Sequence, residues 1–448
     1  MLPFSDDPWA TRDAARRARY RELLDFYEGR QWTGRPLPGE RRLTANYARA
    51  LVRKTVSYLF PEPVGFSAIP DGDDAAAQAR TQRAEAALAA VYAANDLAAV
   101  DFNAAIDAAV LGDGAFKVTW DPAEARPVVT PVDVQHLSVW WDPDDPRRVV
   151  RVVQRGAVDD QSARQFVEND KTNLSRLGPT DAPAHRITED WRPDRYTLTV
   201  GDTVVRDGAN PYGWLPYIVF ANAPRPQEFW GESDLTDLID IGRELNRRLS
   251  VVSRILELSG NPIAVLENVE STEGIQVGPG ALWELPEGAK AYLLDLLGGG
   301  GVGLHLQYID LLYRVIHDLA ETPRTAFGDS GRNLSGAALE VEIQPLVQKV
   351  KRKRRVWDSV FARRNALILD LLARFGGVEL GDIRRTATLW SPILPGDRDT
   401  LVRNEIALVA ANLHSRRTAL AHLGTEDPEQ ELALVRDEQR TTSDEGTT

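Results

Sequence analysis

The stretch from Asn210 to Ser250, NPYGWLPYIVFANAPRPQEFWGESDLTDLIDIGRELNRRLS, constrains the fold more than any other part of the chain. It runs from a sharp turn into an aromatic strand and then into a long amphipathic helix. Asn210-Pro211 and Gly213 interrupt regular structure, and Trp214, Tyr217 and Phe220 read as a buried strand. Ser233 suits the cap of the following helix, with Asp234 and Asp237 at its positive end. Leu235, Leu238, Ile239, Leu245, Leu249, Val252 and Ile255 recur at helical spacing until Gly260, Asn261 and Pro262 stop the run. A helix over 233–259 would be roughly 40 Å long at about 1.5 Å per residue. That is long for a globular interior, so the helix reads as a strut.

The rest of the chain supplies a body for that strut. A chain of 448 residues suggests two or three domains and a core that needs no staples. The absence of cysteine excludes disulfides, thiolate metal sites and cysteine nucleophiles, and fits assembly in a reducing cytoplasm. The N-terminus lacks the apolar segment of a secretion signal, and no run approaches the roughly 20 apolar residues of a membrane span. A net charge of −13 argues against tight, sequence-independent capture of a phosphate backbone.

Periodicity predicts helices over 8–29, 44–60, 75–95 and 97–111, the last broken at Gly112-Asp113-Gly114. The period then changes to that of strands. Phe116, Val118 and Trp120 alternate with polar residues, Val149 to Val153 is an apolar run, and Tyr196–Val200 faces Thr203–Arg206 across Gly201-Asp202 as a hairpin. Beyond the strut, 261–297 is a strand-and-turn insert carrying Glu267, Glu270, Glu273, Glu284 and Glu287. A second helix, His305 to Glu321, shows Leu306, Ile309, Leu312, Val315, Ile316 and Leu319. Thr322 to Asn333 reads as a loop, and Ser335 to Phe375 as a long helix kinked at Pro345. The last 20 residues are polar and acidic and read as frayed.

Motifs for chemistry are sparse. Gly298, Gly300 and Gly303 satisfy G-x-G-x-x-G, which opens the reading of a nucleotide-dependent or DNA-processing enzyme. The acidic partner would have to be Glu321, at the end of the same helix and with no second parallel strand after it, so a linker is the better reading. His136, His185, His305, His317, His414 and His422 show no zinc spacing, and no metal or cofactor is expected. Asp142, Asp144 and Asp145 sit in a proline-rich context that favours turn caps over cation binding. The basic run from Lys349 to Arg355 surrounds its helix, so Lys351, Arg352 and Lys353 are candidates for a DNA or intersubunit contact on a solvated face.

Three blocks in the strut region carry a family resemblance: N-P-Y-G-x-L-P at Asn210–Pro216, W-G-x-S-D-L at Trp230–Leu235, and Leu245-Asn246 inside the helix. Further blocks, in matching order, are Phe26-Tyr27-Glu28-Gly29, Asn46-Tyr47, Val52–Pro63, Leu334–Leu339, Ser391–Asp399, Ser415–Leu420 and Glu429-Gln430-Glu431. Together they resemble the portal proteins of tailed bacteriophages, the head-to-tail connectors, siphophage type. The alternative within phage structure is a minor head or adaptor component.

The resemblance implies an α+β fold, mainly α, with a β-rich wing over 1–230, a stem of helices 231–260 and 304–322, and a small β-containing clip at 261–303. A tunnel-loop candidate follows at 323–334, then a long helix returning to the wing at 335–395, and a small crown with a frayed tail at 396–448. It implies stem packing by Leu245, Leu249, Val252, Ile309, Leu312 and Ile316, a clip partner surface at the five glutamates, and Arg324, Phe327 and Arg332 facing DNA. It further implies a homo-oligomer, expected to be a dodecamer, at one capsid vertex of the virion. This ring would pass double-stranded DNA non-specifically and bind terminase, a head-tail adaptor, capsid and scaffold proteins. No enzymatic activity is implied.

Overall fold

The computed structural model describes residues 12–448 except 37, 39, 73, 160, 165–184, 261–263, 269–286, 294–300, 330–335, 395–397, 426–427, 430 and 437–448. The chain divides into two units, Met1–Leu389 and Trp390–Thr448.

In the first unit, α1 (Ala14–Tyr27), α2 (Tyr47–Leu59), α3 (Ala75–Ala94) and α4 (Leu97–Leu111) form the N-terminal helical layer. Their ends follow local chemistry. The Asn46 side chain accepts from the Arg49 N–H at the start of α2, and Asp74 accepts from Ala77 at the start of α3. α4 ends at Gly112, whose φ of +95° places it in the left-handed region.

The β structure is antiparallel. β2 (Asp113–Asp121) lies between β3 (Arg126–Pro131) and β9 (Tyr217–Ala221) in a three-stranded sheet. A five-stranded meander follows chain order through β4 (Leu137–Trp141), β5 (Val149–Val158), β6 (His185–Trp191), β7 (Arg195–Val200) and β8 (Thr203–Ala209). The expected β7–β8 hairpin forms, turning at Gly201 with φ +60°. β1 (Gly65–Ala68) pairs with the distant β12 (Thr386–Leu389).

The strut is α5 (Ile239–Gly260), 22 residues and so about 33 Å long. It is shorter than the 233–259 span expected, because Thr236–Leu238 forms a 3-10 turn before it. The hairpin β10 (Ala264–Glu267) and β11 (Lys290–Leu293) follows, then α6 (Gly301–Leu319). The long helix expected over 335–375 is two helices, α7 (Gly336–Glu342) and α8 (Gln344–Arg374), separated at Ile343. Pro345 therefore lies in the first turn of α8, where its missing N–H breaks no bond.

α8 is the spine of the unit. Leu346, Val350, Trp357, Phe361, Ile368, Leu369 and Leu371 are buried along it. Trp357 meets Phe60 of the segment after α2, Phe116 of β2 and Phe220 of β9, with centroids 5.0, 6.1 and 5.2 Å away. At its centre Arg364, with no exposed surface, makes a two-pronged contact with Asp101 of α4 at 2.5 and 2.8 Å and donates to Tyr92 at 2.9 Å. The rings of Tyr92, Phe116 and Phe361 each lie 5.0 Å from the guanidinium. Burial works against the charge on Arg364, but the Asp101 carboxylate outweighs it and moves the pKa upward.

The second unit contains α9 (Arg398–Ala410) and α10 (Arg416–His422), joined through Asn412 at φ +57°.

Replacing Arg364 by Met leaves Asp101 charged and unpaired in the core, and is expected to cost about 3–5 kcal/mol. The denaturant midpoint of the Arg364→Met chain measures this. Adding Asp101→Leu should recover part of the loss, since the unpaired charge then goes with its partner.

Candidate channel hairpin and partner surfaces

The root of the α5–α6 hairpin is set by the blocks around Gly231 and Asp234. Gly231 donates its N–H to Asp113 Oδ1 at 2.7 Å, and a Cβ on Gly231 would lie 2.6 Å from the Gly112 carbonyl. Only glycine lets these two strands of chain approach so closely. Ser233 donates to the carbonyl of Val110 at 2.6 Å and accepts from the Leu235 N–H at 3.0 Å, so it fastens the segment to the end of α4. Asp113 in turn accepts the Tyr20 hydroxyl at 2.5 Å, and burial raises its pKa to about 6.

Asp234 does not serve the helix dipole as its position suggested. It is buried and takes Lys353 at 2.9 Å and Lys349 at 3.2 Å, both from α8. Asn222 donates to Asp234 Oδ1, the oxygen that also takes Lys353, at 2.8 Å and accepts from Lys353 at 2.6 Å. Burial alone would raise the pKa of Asp234, but the Lys349 and Lys353 ammonium groups hold it well below the carboxylate range.

Along the hairpin α5 and α6 run antiparallel. Leu245, Val252, Leu312 and Ile316 are buried, while Leu249 and Ile309 are half-buried. Leu306 and Leu319, expected in the same seam, are 53% and 47% exposed. Asn246 is buried, hydrogen-bonds Gln31 and accepts from the Ala45 N–H at 2.8 Å; Ser250 accepts from Leu43 at 2.9 Å. The helix thus holds the segment between α1 and α2 by polar side chains that the hydrophobic period does not reveal.

Asn210 organises the turn before β9. Its amide donates to the carbonyls of Arg192 and Trp214, both at 2.8 Å, and its oxygen accepts from the Tyr212 N–H at 3.0 Å. Trp214 donates to Asp370 of α8 at 2.9 Å.

The segment after α6 begins as a folded turn rather than an open loop. Arg324–Phe327 is a 3-10 turn ending at Gly328, φ +84°. Arg324 pairs with Asp329, lies 3.9 Å from Asp310 and stacks over Tyr313 at 4.8 Å. Those partners are acidic and aromatic groups of the chain itself. Phe327 is 39% exposed, touching His317 edge-on at 5.6 Å, with Lys54 5.2 Å from its ring. His317 hydrogen-bonds the Thr322 carbonyl through Nδ1 at 2.6 Å, and burial lowers its pKa. Arg332 lies outside the described residues.

Of the five glutamates expected on a partner surface, Glu267 and Glu287 are exposed at the β10–β11 hairpin, and Glu267 accepts the Tyr292 hydroxyl at 3.0 Å. Glu270, Glu273 and Glu284 lie outside the described residues.

The basic run is not a uniform solvated face. Lys353 is 6% exposed and committed to Asp234, so it offers no DNA or intersubunit contact; burying its charge is possible only because that carboxylate is there. Lys351 is exposed, and Arg352 pairs with Glu321 at 2.6 Å. That pair also occupies the acidic group required by the dinucleotide reading, and Gly303 lies within α6. Asp142 and Asp145 accept backbone N–H groups two residues on, at 3.0 and 3.1 Å, as turn caps do.

Residues 7–149 match the model of P22-like phage portal proteins, and residues 305–445 match the model of SPP1 Gp6-like phage portal proteins. No curated protein matches the chain. The two matched segments do not overlap and leave 150–304 between them, so the strut region that first carried the resemblance lies outside both. They agree on the class: the chain belongs to the phage portal proteins, structural rather than enzymatic proteins of the tailed-phage virion. Membership implies a homo-oligomeric ring in the capsid that works with capsid and packaging components. No helix among the described residues is long and apolar enough to cross a membrane.

Because its folded pKa is depressed, Asp234 contributes stability in full above the unfolded value of about 3.9, and loses it as pH falls through the lower folded value. Asp234→Asn strands the buried Lys353 and removes the carboxylate partner of the half-buried Lys349, and should cost about 3–5 kcal/mol at pH 7. The gap between variant and parent should narrow at acid pH, as read from denaturant melts at pH 7 and pH 3.

Proposed function

We propose that the chain forms a ring whose α5–α6 hairpins surround a channel for double-stranded DNA during packaging and ejection. The β10–β11 tip serves as the clip that docks terminase and later a head-tail adaptor. The crown role falls to the unit from Trp390 onward, the wing role to the helical layer and the five-stranded meander, and assembly takes place in the host cytoplasm.

The observation that carries this reading is a second apolar stripe on α6. Leu304, Tyr308 and Leu311 are 70%, 38% and 48% exposed at spacings of four and three residues, so they share one face. It lies roughly a quarter-turn from the Ile309–Leu312–Ile316 stripe that packs on α5. α5 adds exposed Val251 and Leu256. One helix with one stripe turned to its own partner and another turned to solvent suits a molecule whose neighbours are further copies of itself. A net charge of −13 on each copy also keeps the phosphate backbone from sticking to the channel, with repulsion screened beyond about 8 Å at physiological salt.

Changing Leu304 and Leu311 together to Glu should leave the subunit folded, because neither is in the α5–α6 seam, yet abolish the ring. Light scattering and negative-stain images check this. Rings of normal size would count against an intersubunit role for the stripe.

A second prediction concerns 323–334, the tunnel-loop candidate. Replacing Phe327 by Gly removes an exposed ring whose neighbours are His317 and Lys54, so the melt should shift little while DNA packaging or retention falls. Particles that package and retain DNA normally would remove this residue from the channel.

A further inference from the structure

The second unit has almost no apolar interior. Among its described residues only Ala419 and Glu405 are buried, at 8% and 4% exposure, while Ile406, Leu413 and Leu434 are 63%, 71% and 54% exposed. A carboxylate as the best-buried side chain is the reverse of the usual order. A small unit without a core needs some other staple.

What converges on Glu405 is a pair of histidines. His414 Nδ1 lies 2.9 Å from Glu405 Oε2, and His422 Nδ1 lies 2.8 Å from Glu405 Oε1. One ligand atom from each of the three residues falls within 4.8 Å of the others, and the two rings stand edge-on with centroids 5.3 Å apart. Three features of the backbone bring them together. Glu405 projects from α9, His414 sits in the turn whose N–H bonds back to the Leu408 carbonyl, and His422 ends α10, which Ser415 caps. The Glu405 side chain is 5% exposed, His414 28% and His422 51%, so the cluster is closed below by the carboxylate and open to water on one side.

We propose that Glu405, His414 and His422 form a zinc site that clips α9 to α10. Two imidazole nitrogens and one carboxylate are a zinc donor set; calcium and magnesium prefer oxygen alone. A tetrahedral ion with bonds of about 2.0–2.1 Å keeps its donors roughly 3.3–3.4 Å apart, so the two histidine–carboxylate contacts open by about half an ångström while the widest separation in the cluster, within 4.8 Å, closes onto the ion. Binding through Nδ1 moves each ring's proton to Nε2, which faces away from the carboxylate, and water completes the fourth position. The spacing, eight residues between Glu405 and His414 and seven between His414 and His422, is outside the usual zinc signatures, so only the fold reveals it.

The test uses the full-length chain stripped with a chelator. Titration with zinc chloride in a calorimeter should show one strong site per chain. Cobalt chloride should give the visible absorption of a tetrahedral ion, and amide exchange over 405–422 should slow when zinc is added. His422→Gln and Glu405→Gln should each weaken binding about tenfold or more, with the melt of the first unit unchanged. Wild-type protein that binds zinc no more tightly than a His414→Gln/His422→Gln double variant, or a cobalt spectrum that stays that of the aqueous ion, would overturn the site. The wild-type titration decides the matter even if a variant fails to fold.

Discussion

A carboxylate buried at the foot of a helical hairpin must be neutralised, and the way this chain neutralises Asp234 ties its parts together. The two lysines come from α8, the amide from the end of β9 at Asn222, and Asp234 itself precedes the strut helix. Its backbone N–H bonds to Ala109 at the end of α4. One charged group therefore joins the helical layer, the central sheet, the spine and the root of α5. If, as proposed, the hairpin bears on neighbouring subunits, it needs such a root. The Arg364–Asp101 pair repeats the device three turns further along α8, between the spine and α4.

The strut region that first carried the resemblance acquires physical content from these contacts. Gly231 is glycine because the Gly112 carbonyl leaves no room for a side chain. Asn246 is polar inside an apolar seam because it holds the chain between α1 and α2. Gly242 leaves space for Phe26, whose ring would lie 2.7 Å from a Cβ there. Asn210 hydrogen-bonds three backbone groups, two in its own turn and one, the Arg192 carbonyl, in the turn between β6 and β7. These residues fix close approaches and backbone contacts that hydrophobic patterning alone leaves open.

Helix and strand positions were legible because local signals agreed with the tertiary outcome. α2, α3 and α4 fall where the period puts them, and β7–β8 turns at its glycine. The α5–α6 pair was legible from two amphipathic runs bracketing an insert. The rest was hidden where one residue type has two uses. Asp234 resembles any acidic residue at a helix start, and Lys353 resembles its solvated neighbours, until the fold buries both. Leu306 and Leu319 share the spacing of seam residues, and only the crossing of α5 over α6 decides which leucines it covers. Glu405, His414 and His422 carry no recognisable spacing, because their proximity depends on the turn between two short helices.

The central claim is that the α5–α6 hairpin lines the axis of a ring and completes its apolar surface with neighbouring copies. A cryo-EM map of the purified chain tests it most directly. The account predicts closed rings with these helices around the central hole, and with Leu304, Tyr308 and Leu311 covered by an adjacent subunit. A ring whose axis is lined by the five-stranded meander, or one in which those three side chains face solvent, would contradict it.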